Sequence, residues 1–206
     1  MLISGNKEGL YHTEDRMVYT GENIDVPELK ERILSALCIV PNSRVLDVFF
    51  GAEPLVAEIT GEAWKTHYFG LETSEAFVRK ATKLFSGYTK ERKAVFNLYD
   101  GERIPYVNRF FHRILSTLSG ITGISPAFFT ENYRVLAESG ITVIAYKPGK
   151  QMDEAVSVAD SAMEAGFIVR DFKMFEVDKG VKTREGKTEK QVLIVLEKPE
   201  KKLPGQ

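Results

Sequence analysis

The chain has 206 residues, 43% of them hydrophobic and 28% charged, and a formal net charge of −1. That length accommodates one α/β domain with a sizeable core, and a near-neutral total lacks the global basic field of a protein that holds nucleic acid mainly by electrostatics. A single cysteine, Cys38, excludes an intramolecular disulfide and a zinc cluster, so no metal site is expected and the compartment reads as reducing cytoplasm. No apolar run reaches the roughly 18 residues of a membrane span, and residues 1–11 are too polar for a signal peptide, so no membrane partner is expected. Abundant Lys and Glu carry a hint of a heat-adapted source.

Residues 1–24 mix Gly5, Gly9 and Gly21 with Tyr11, His12, Met17, Val18 and Tyr19 without a period, and read as an irregular arm with a short extended piece over 17–20. Asp25 and Glu28 have capping-box spacing, Pro27 suits a first turn, and Leu29, Ile33 and Leu37 recur at helical spacing, which predicts a helix over 26–37. Pro41 and Asn42 stop it. The stretch 44–58, RVLDVFFGAEPLVAE, is the one the chain is organised around. Val45, Leu46 and Val48 make a strand buried on both faces, Asp47 and Gly51 break the apolar run, and residues 55–60 open a helix.

A second strand is predicted over 64–71, ending in Glu72 just before the N-cap Ser74, with Phe77, Ala81 and Leu84 on one face of the next helix. Residues 93–98 read as a third strand, broken at Asp100-Gly101, and 110–115 as a fourth. A helix over 126–137 closes at Ser139-Gly140, where glycine suits a left-handed C-cap. A fifth strand over 141–146 breaks at Pro148-Gly149, and a helix follows over 153–165. Strand-like runs at 167–177 and 191–197 have only the charged connector 178–190 between them, so they pair antiparallel. The expected sheet is five βα units and a terminal antiparallel hairpin, with a frayed tail from Lys198 onward.

Four segments in register resemble the class I S-adenosylmethionine-dependent methyltransferases, from about residue 26 to 198. VLDVFFGAEP stands at that family's first glycine motif and YFGLETSEAFVRKA at the segment whose acid grips the cofactor ribose. LYDGERIPY stands where an acid faces the adenine amino group, and FFTENYRVLAESGITVIAYKP resembles the helix and strand that usually read YRVLKPGG. The resemblance implies a Rossmann-like α/β fold: a mostly parallel seven-stranded sheet with a C-terminal antiparallel hairpin and helices on both faces. It divides the chain into the arm 1–24, a methyltransferase-like domain 25–198 and a tail 199–206. The run Asp47-Val48-Phe49-Phe50-Gly51 with Pro54 looks most like archaeal tRNA guanine-N1 methyltransferases, which also carry an upstream Val-Tyr pair echoed by Val18-Tyr19.

On this resemblance S-adenosylmethionine is the cofactor, and Asp47, Phe49, Gly51, Glu53, Glu72 and Asp100 are its candidate contacts. A carboxylate at Glu72 can accept both hydroxyls of a ribose diol, or it is an acid favoured by the following helix N-terminus. Asp100 accepts from an adenine amine or merely shapes an Asp-Gly turn. Phe49 and Glu53 depart from the family's D-x-G-x-G-x-G, and Glu53 puts a charge where the cofactor's carboxylate end lies. Beyond the fourth strand, Leu115-Ser116-Thr117-Leu118-Ser119-Gly120 lacks both the Asp/Asn-Pro-Pro-aromatic of amine methylation and the Asn-Leu-Pro of the guanine-N1 enzymes. The catalytic residue is unassigned, with Ser116, Thr117 and His112 as candidates, and His12 and Tyr19 as possible covers from the arm. The expected function is methyl transfer to an RNA base or a small molecule. The alternative is a catalytically inactive methyltransferase-like binding or assembly module, with a protein partner or a homo-oligomer. The basic clusters at Arg79-Lys80-Lys83, 90–93 and 182–190 serve the RNA version or are solvated faces. A nicotinamide dehydrogenase is discounted because G-x-G-x-x-G is missing.

Overall fold

The computed structural model describes residues 27–51, 54–61, 65–118, 126–148, 153–178 and 188–201. Helix α1 (Pro27–Leu37) leads into β1 (Arg44–Val48), the one-turn α2 (Val56–Ile59), β2 (His67–Glu72), α3 (Glu75–Leu84), α4 (Ser86–Lys90) and β3 (Ala94–Leu98). Then come β4 (Phe111–Leu118), α5 (Pro126–Val135), β5 (Leu136–Tyr146), α6 (Asp153–Glu164), β6 (Ile168–Asp178) and β7 (Thr188–Glu197). The seven strands form one sheet in the order β3-β2-β1-β4-β5-β7-β6. β1 to β5 pair in parallel, and β7 runs antiparallel to both β5 and β6. This is the Rossmann-like methyltransferase fold expected from the sequence.

Helices cover both faces because the central strands are apolar on both. From β1, Val45 joins Leu115, Val143, Tyr68 and Phe96 beneath α1, α2 and α3, while Leu46 and Val48 join Ile114, Leu118, Ile144 and Tyr146 beneath α5 and α6. On α1, Leu29, Ile33 and Leu37 are the buried stripe, each contributing roughly 2 kcal/mol by burial. Arg113 of β4 fixes the end of that helix, donating through Nε to Leu37 O at 2.6 Å and through Nη2 to Cys38 O at 2.8 Å. Gly70 of β2 is required by packing: a Cβ there would lie 2.8 Å from ring carbons of both Phe50 and Phe96.

Several boundaries differ from the sequence reading. No helix joins β3 to β4; residues 99–110 are an irregular loop, so the regular βα alternation is broken once. β4 extends to Leu118, because Ser116 and Thr117 are polar residues inside a buried strand rather than the start of a loop. α5 stops at Val135, and the left-handed residue is Ser139 (φ 57°), not Gly140. Gly140 is needed for closeness instead, since a Cβ there would meet Leu136 Cγ at 2.6 Å and Ala137 O at 2.7 Å. Lys198 is not frayed. It is buried, and its Nζ donates to Tyr133 O at 2.8 Å and Leu136 O at 2.7 Å, filling two carbonyls at the end of α5.

Candidate functional site at the carboxyl edge of the sheet

Parallel pairing brings the carboxyl ends of five strands to one edge. Val48 of β1 is level with Leu71 of β2 and Ser116 of β4, and Glu72 is level with Leu98 of β3. Beyond these ends the chain turns: Phe49 N donates to Leu71 O at 2.8 Å and Tyr99 N donates to Glu72 O at 2.9 Å. In an open α/β sheet this edge is where ligands bind.

Glu72 is the centre of the arrangement. Its Oε2 accepts Gly51 N at 3.0 Å, and its Oε1 accepts Thr73 N at 2.7 Å, Thr73 Oγ1 at 3.2 Å and Ser74 N at 3.3 Å. Gly51 reaches it with φ 63°, a left-handed conformation that glycine takes without strain. The carboxylate thus ties the β1 loop to the start of α3. Burial pushes its pKa up, and the three backbone N–H groups oppose that shift. Three donors crowd Oε1 and one meets Oε2, so the spare acceptor capacity lies on Oε2.

Asp47, on the same sheet face, is fully buried and accepts Tyr68 O–H through Oδ2 at 2.6 Å, while Oδ1 has no hydrogen-bond partner. Burial raises its pKa from 3.8 to about 7; the Tyr68 hydrogen bond opposes the rise and the neighbouring Glu72 adds to it. Tyr68 is a member of this site that sequence reasoning missed. Only the register, with Asp47 level with Gly70, puts Tyr68 two residues back on the same face.

Phe49 has φ 63°, left-handed backbone at a position where the resembled family has glycine. Its ring is buried between Tyr99 (5.9 Å between centroids) and Phe128 of α5 (6.1 Å), so packing holds a conformation the backbone disfavours. Tyr99 also walls a cavity of about 300 Å³ with Leu98, Asp100, Arg103 and Pro105. Its hydroxyl is buried without a hydrogen-bond partner. Asp100 stands at that cavity, where its Oδ1 accepts Glu102 N at 2.8 Å and Arg103 N at 3.1 Å. The turn role foreseen for Asp100 is therefore real, and it fixes the carboxylate at the cavity wall.

The remaining candidates separate by strand polarity. Ser116 and Thr117 lie at the carboxyl edge, both buried, and neither hydroxyl has a hydrogen-bond partner. His112 is the second residue of β4, at the opposite end of the sheet and about 13 Å from Ser116 along the strand. Its Nδ1 accepts Arg44 N at 3.0 Å, an edge-fastening contact. Burial, with Arg44 and Arg113 adding, lowers its pKa. Glu53, His12 and Tyr19 lie outside the described residues. Among the described residues no group of acids, histidines and cysteine is arranged to hold a metal ion, and no helix is long and apolar enough to cross a membrane.

No protein-family model and no curated protein sequence matches the chain. Solved structures do match its fold. The 4+2 cyclase SpnF shares 15% identity over 88% of this chain and 86% of its own, with a TM-score of 0.67. The methyltransferase in the Haloferax volcanii complex with the Trm112 methyltransferase activator shares 14% over 83% and 89%, with a TM-score of 0.65. A SAM-dependent methyltransferase from Aquifex aeolicus shares 20% over 80% and 88%, with a TM-score of 0.57. At these identities the likeness is one of fold.

Proposed function

We propose that the chain binds S-adenosylmethionine at the carboxyl edge of β1, β2 and β3 and transfers its methyl group to an acceptor presented beyond β4. One observation carries the reading: the acid that ends β2 meets, at 3.0 Å, the backbone N–H of the glycine that follows β1. That juxtaposition is what a ribose-binding carboxylate beside a backbone cradle needs. The residues fit the cofactor in parts. Glu72 Oε2 accepts one hydrogen bond and keeps acceptor capacity for a ribose hydroxyl, Gly51 lets a ligand approach main chain, and the cavity beside Tyr99 and Asp100, about 300 Å³ in volume, is at the lower end of the range for small-molecule sites and suits a nucleoside half.

The cofactor supplies a methyl group on a sulfonium, so its departure needs no acid from the protein. The chain's own task is positioning: Glu72 and Asp100 would orient the nucleoside, and Tyr99, backed by Phe49, would supply an aromatic wall. Asp47 stiffens the floor of the β1 loop through Tyr68. A base is needed only for an acceptor that must lose a proton. Of the candidates, Ser116 and Thr117 stand at the reacting edge, whereas His112 acts on the fold. The acceptor is an RNA base or a small molecule, and the likeness of Asp47-Val48-Phe49-Phe50-Gly51 to archaeal tRNA guanine-N1 methyltransferases makes tRNA the first acceptor to try. The Haloferax volcanii methyltransferase is joined to an activator protein, which supports a search for a protein partner in cytoplasmic extracts.

A second reading, a binding module without methyl transfer, is favoured by the complete burial of Glu72 against protein donors. Calorimetric titration with S-adenosylmethionine and S-adenosylhomocysteine separates the two. Binding by the parent that is lost in Glu72→Ala supports the cofactor site. Absence of binding, restored in Glu53→Gly, supports the second reading.

A further inference from the structure

The loop 99–110, which supplies Tyr99, Asp100, Arg103 and Pro105 to the cavity wall, has neither helix nor strand of its own. The middle of the loop, at Ile104 and Tyr106, is bonded instead to two side chains one turn apart on α5. Glu131 Oε2 accepts Ile104 N at 2.9 Å. Arg134 donates through Nη2 to Ile104 O at 2.8 Å, and through Nη1 to Tyr106 O at 2.8 Å and to Asn108 Oδ1 at 2.9 Å. The two side chains are locked to each other by a bidentate pair, Nε to Oε1 and Nη2 to Oε2, both 2.7 Å. Arg109 N closes the set on Arg134 O at 2.9 Å. Pro105 sits between two residues whose carbonyls are both held by one guanidinium, and Ile104 is fastened on both its N–H and its C=O.

We infer that Glu131 and Arg134 are a positioning pair that builds the nucleoside cavity from behind, so that affinity for the adenosyl half of the cofactor is set by α5. The inference rests on the proposed function. A twelve-residue loop pays ordering entropy when a ligand must arrange it, and a loop already hung on a rigid fork does not. A fork is required because five fixed donors serve three loop acceptors and a carboxylate at once, which a lysine ammonium does not reproduce. Apolar contacts finish the wall: Ile104 is buried, and the Tyr106 ring meets Phe69, Phe110 and Phe111.

The test compares the full-length parent with Arg134→Lys, Arg134→Gln and Glu131→Gln. Arg170→Gln, which breaks the Arg170–Glu197 ion pair on the far edge strand, serves as the control. Binding of S-adenosylhomocysteine and of adenosine is measured by calorimetry, amide hydrogen exchange at Ile104 and Arg109 by mass spectrometry or NMR, and melting temperature in parallel. We expect both Arg134 variants to weaken S-adenosylhomocysteine and adenosine by the same factor, tenfold or more, with faster exchange at the two loop amides. Glu131→Gln should fall between these and the parent, and the control should match the parent. Should Arg134→Gln fail to fold, Arg134→Lys and Glu131→Gln carry the comparison. Affinities within twofold of the parent, or an equal loss in the control, overturn the positioning role alone. A parent that binds neither ligand removes the cofactor reading, and this inference with it.

Discussion

Replacing Asp47 with Asn removes a buried ionisable group without changing its shape, and the outcome is a difference in pH dependence. The folded protein holds the Asp47 carboxyl at about 7 against an ordinary 3.8, chiefly by burial. A carboxyl whose folded pKa lies above its unfolded value binds more protons in the native state, so the parent loses stability as pH rises from about 4 to about 7, and the loss levels off above that. A rise of that size corresponds to roughly 4 kcal/mol as an upper bound. The amide of Asp47→Asn cannot ionise and still accepts from Tyr68 O–H, which in the parent reaches Asp47 Oδ2 at 2.6 Å. Urea denaturation of both proteins at intervals from pH 4 to pH 8 should therefore show the Asp47→Asn variant gaining on the parent by a few kcal/mol across that window and running parallel above it. Glu72, whose pKa is also raised, gives both proteins a slope of the same sign, and its charge coupling to Asp47 alters the size of the difference but not its direction. A difference that is flat with pH, or a parent that gains on the variant as pH rises, refutes the reasoning, because the charge would then be satisfied where it sits.

Phe49→Gly restores the residue type of the resembled family and should destabilise by about 3 kcal/mol or more, since relief of a strained left-handed backbone returns only about 1 kcal/mol against the loss of a buried aromatic ring; chemical denaturation measures the balance, and a stabilised variant would show that the ring is held by its backbone rather than the reverse. Tyr99→Phe removes a buried hydroxyl that has no partner, so stability should hold or rise by up to about 1 kcal/mol, while a tenfold loss of S-adenosylhomocysteine affinity would assign that hydroxyl to the ligand. Lys198→Met keeps the aliphatic stem but leaves Tyr133 O and Leu136 O without their donor; a cost of about 2 kcal/mol is expected in urea, and no change would mean that water serves those carbonyls equally well.

Strands were readable wherever burial on both faces makes a short apolar run, as in Val45-Leu46 and Ile141 to Tyr146, and Glu72 was readable because an acid ends such a run directly before the N-cap Ser74. The pieces that needed three dimensions are those set by register or polarity. Asp47 finds Tyr68 only because β1 and β2 pair with Asp47 level with Gly70. His112 and Ser116 are four residues apart in sequence, yet one fastens the amino edge of the sheet and the other lies at its carboxyl edge. Glu131 and Arg134 stand three apart on a helix, and nothing local announces that their other partners are the backbone of a loop nearly thirty residues earlier. Ser139-Gly140 read as a helix stop, while the helix ends at Val135 because the following residues already pair as β5.

The position of β7 has a consequence for how the chain is made. Among the described residues β6 hydrogen-bonds to no strand except β7, and β7 also covers the other side of β5. During synthesis, then, β6 emerges from the ribosome before the strand it pairs with, its exposed Phe172 and Met174 open to strangers meanwhile. A nonsense codon anywhere between β6 and Thr188 would leave β5 bare on one side and β6 unpaired on both, where the described sheet leaves only the outer side of β6 open at that end, a species for chaperones and proteases.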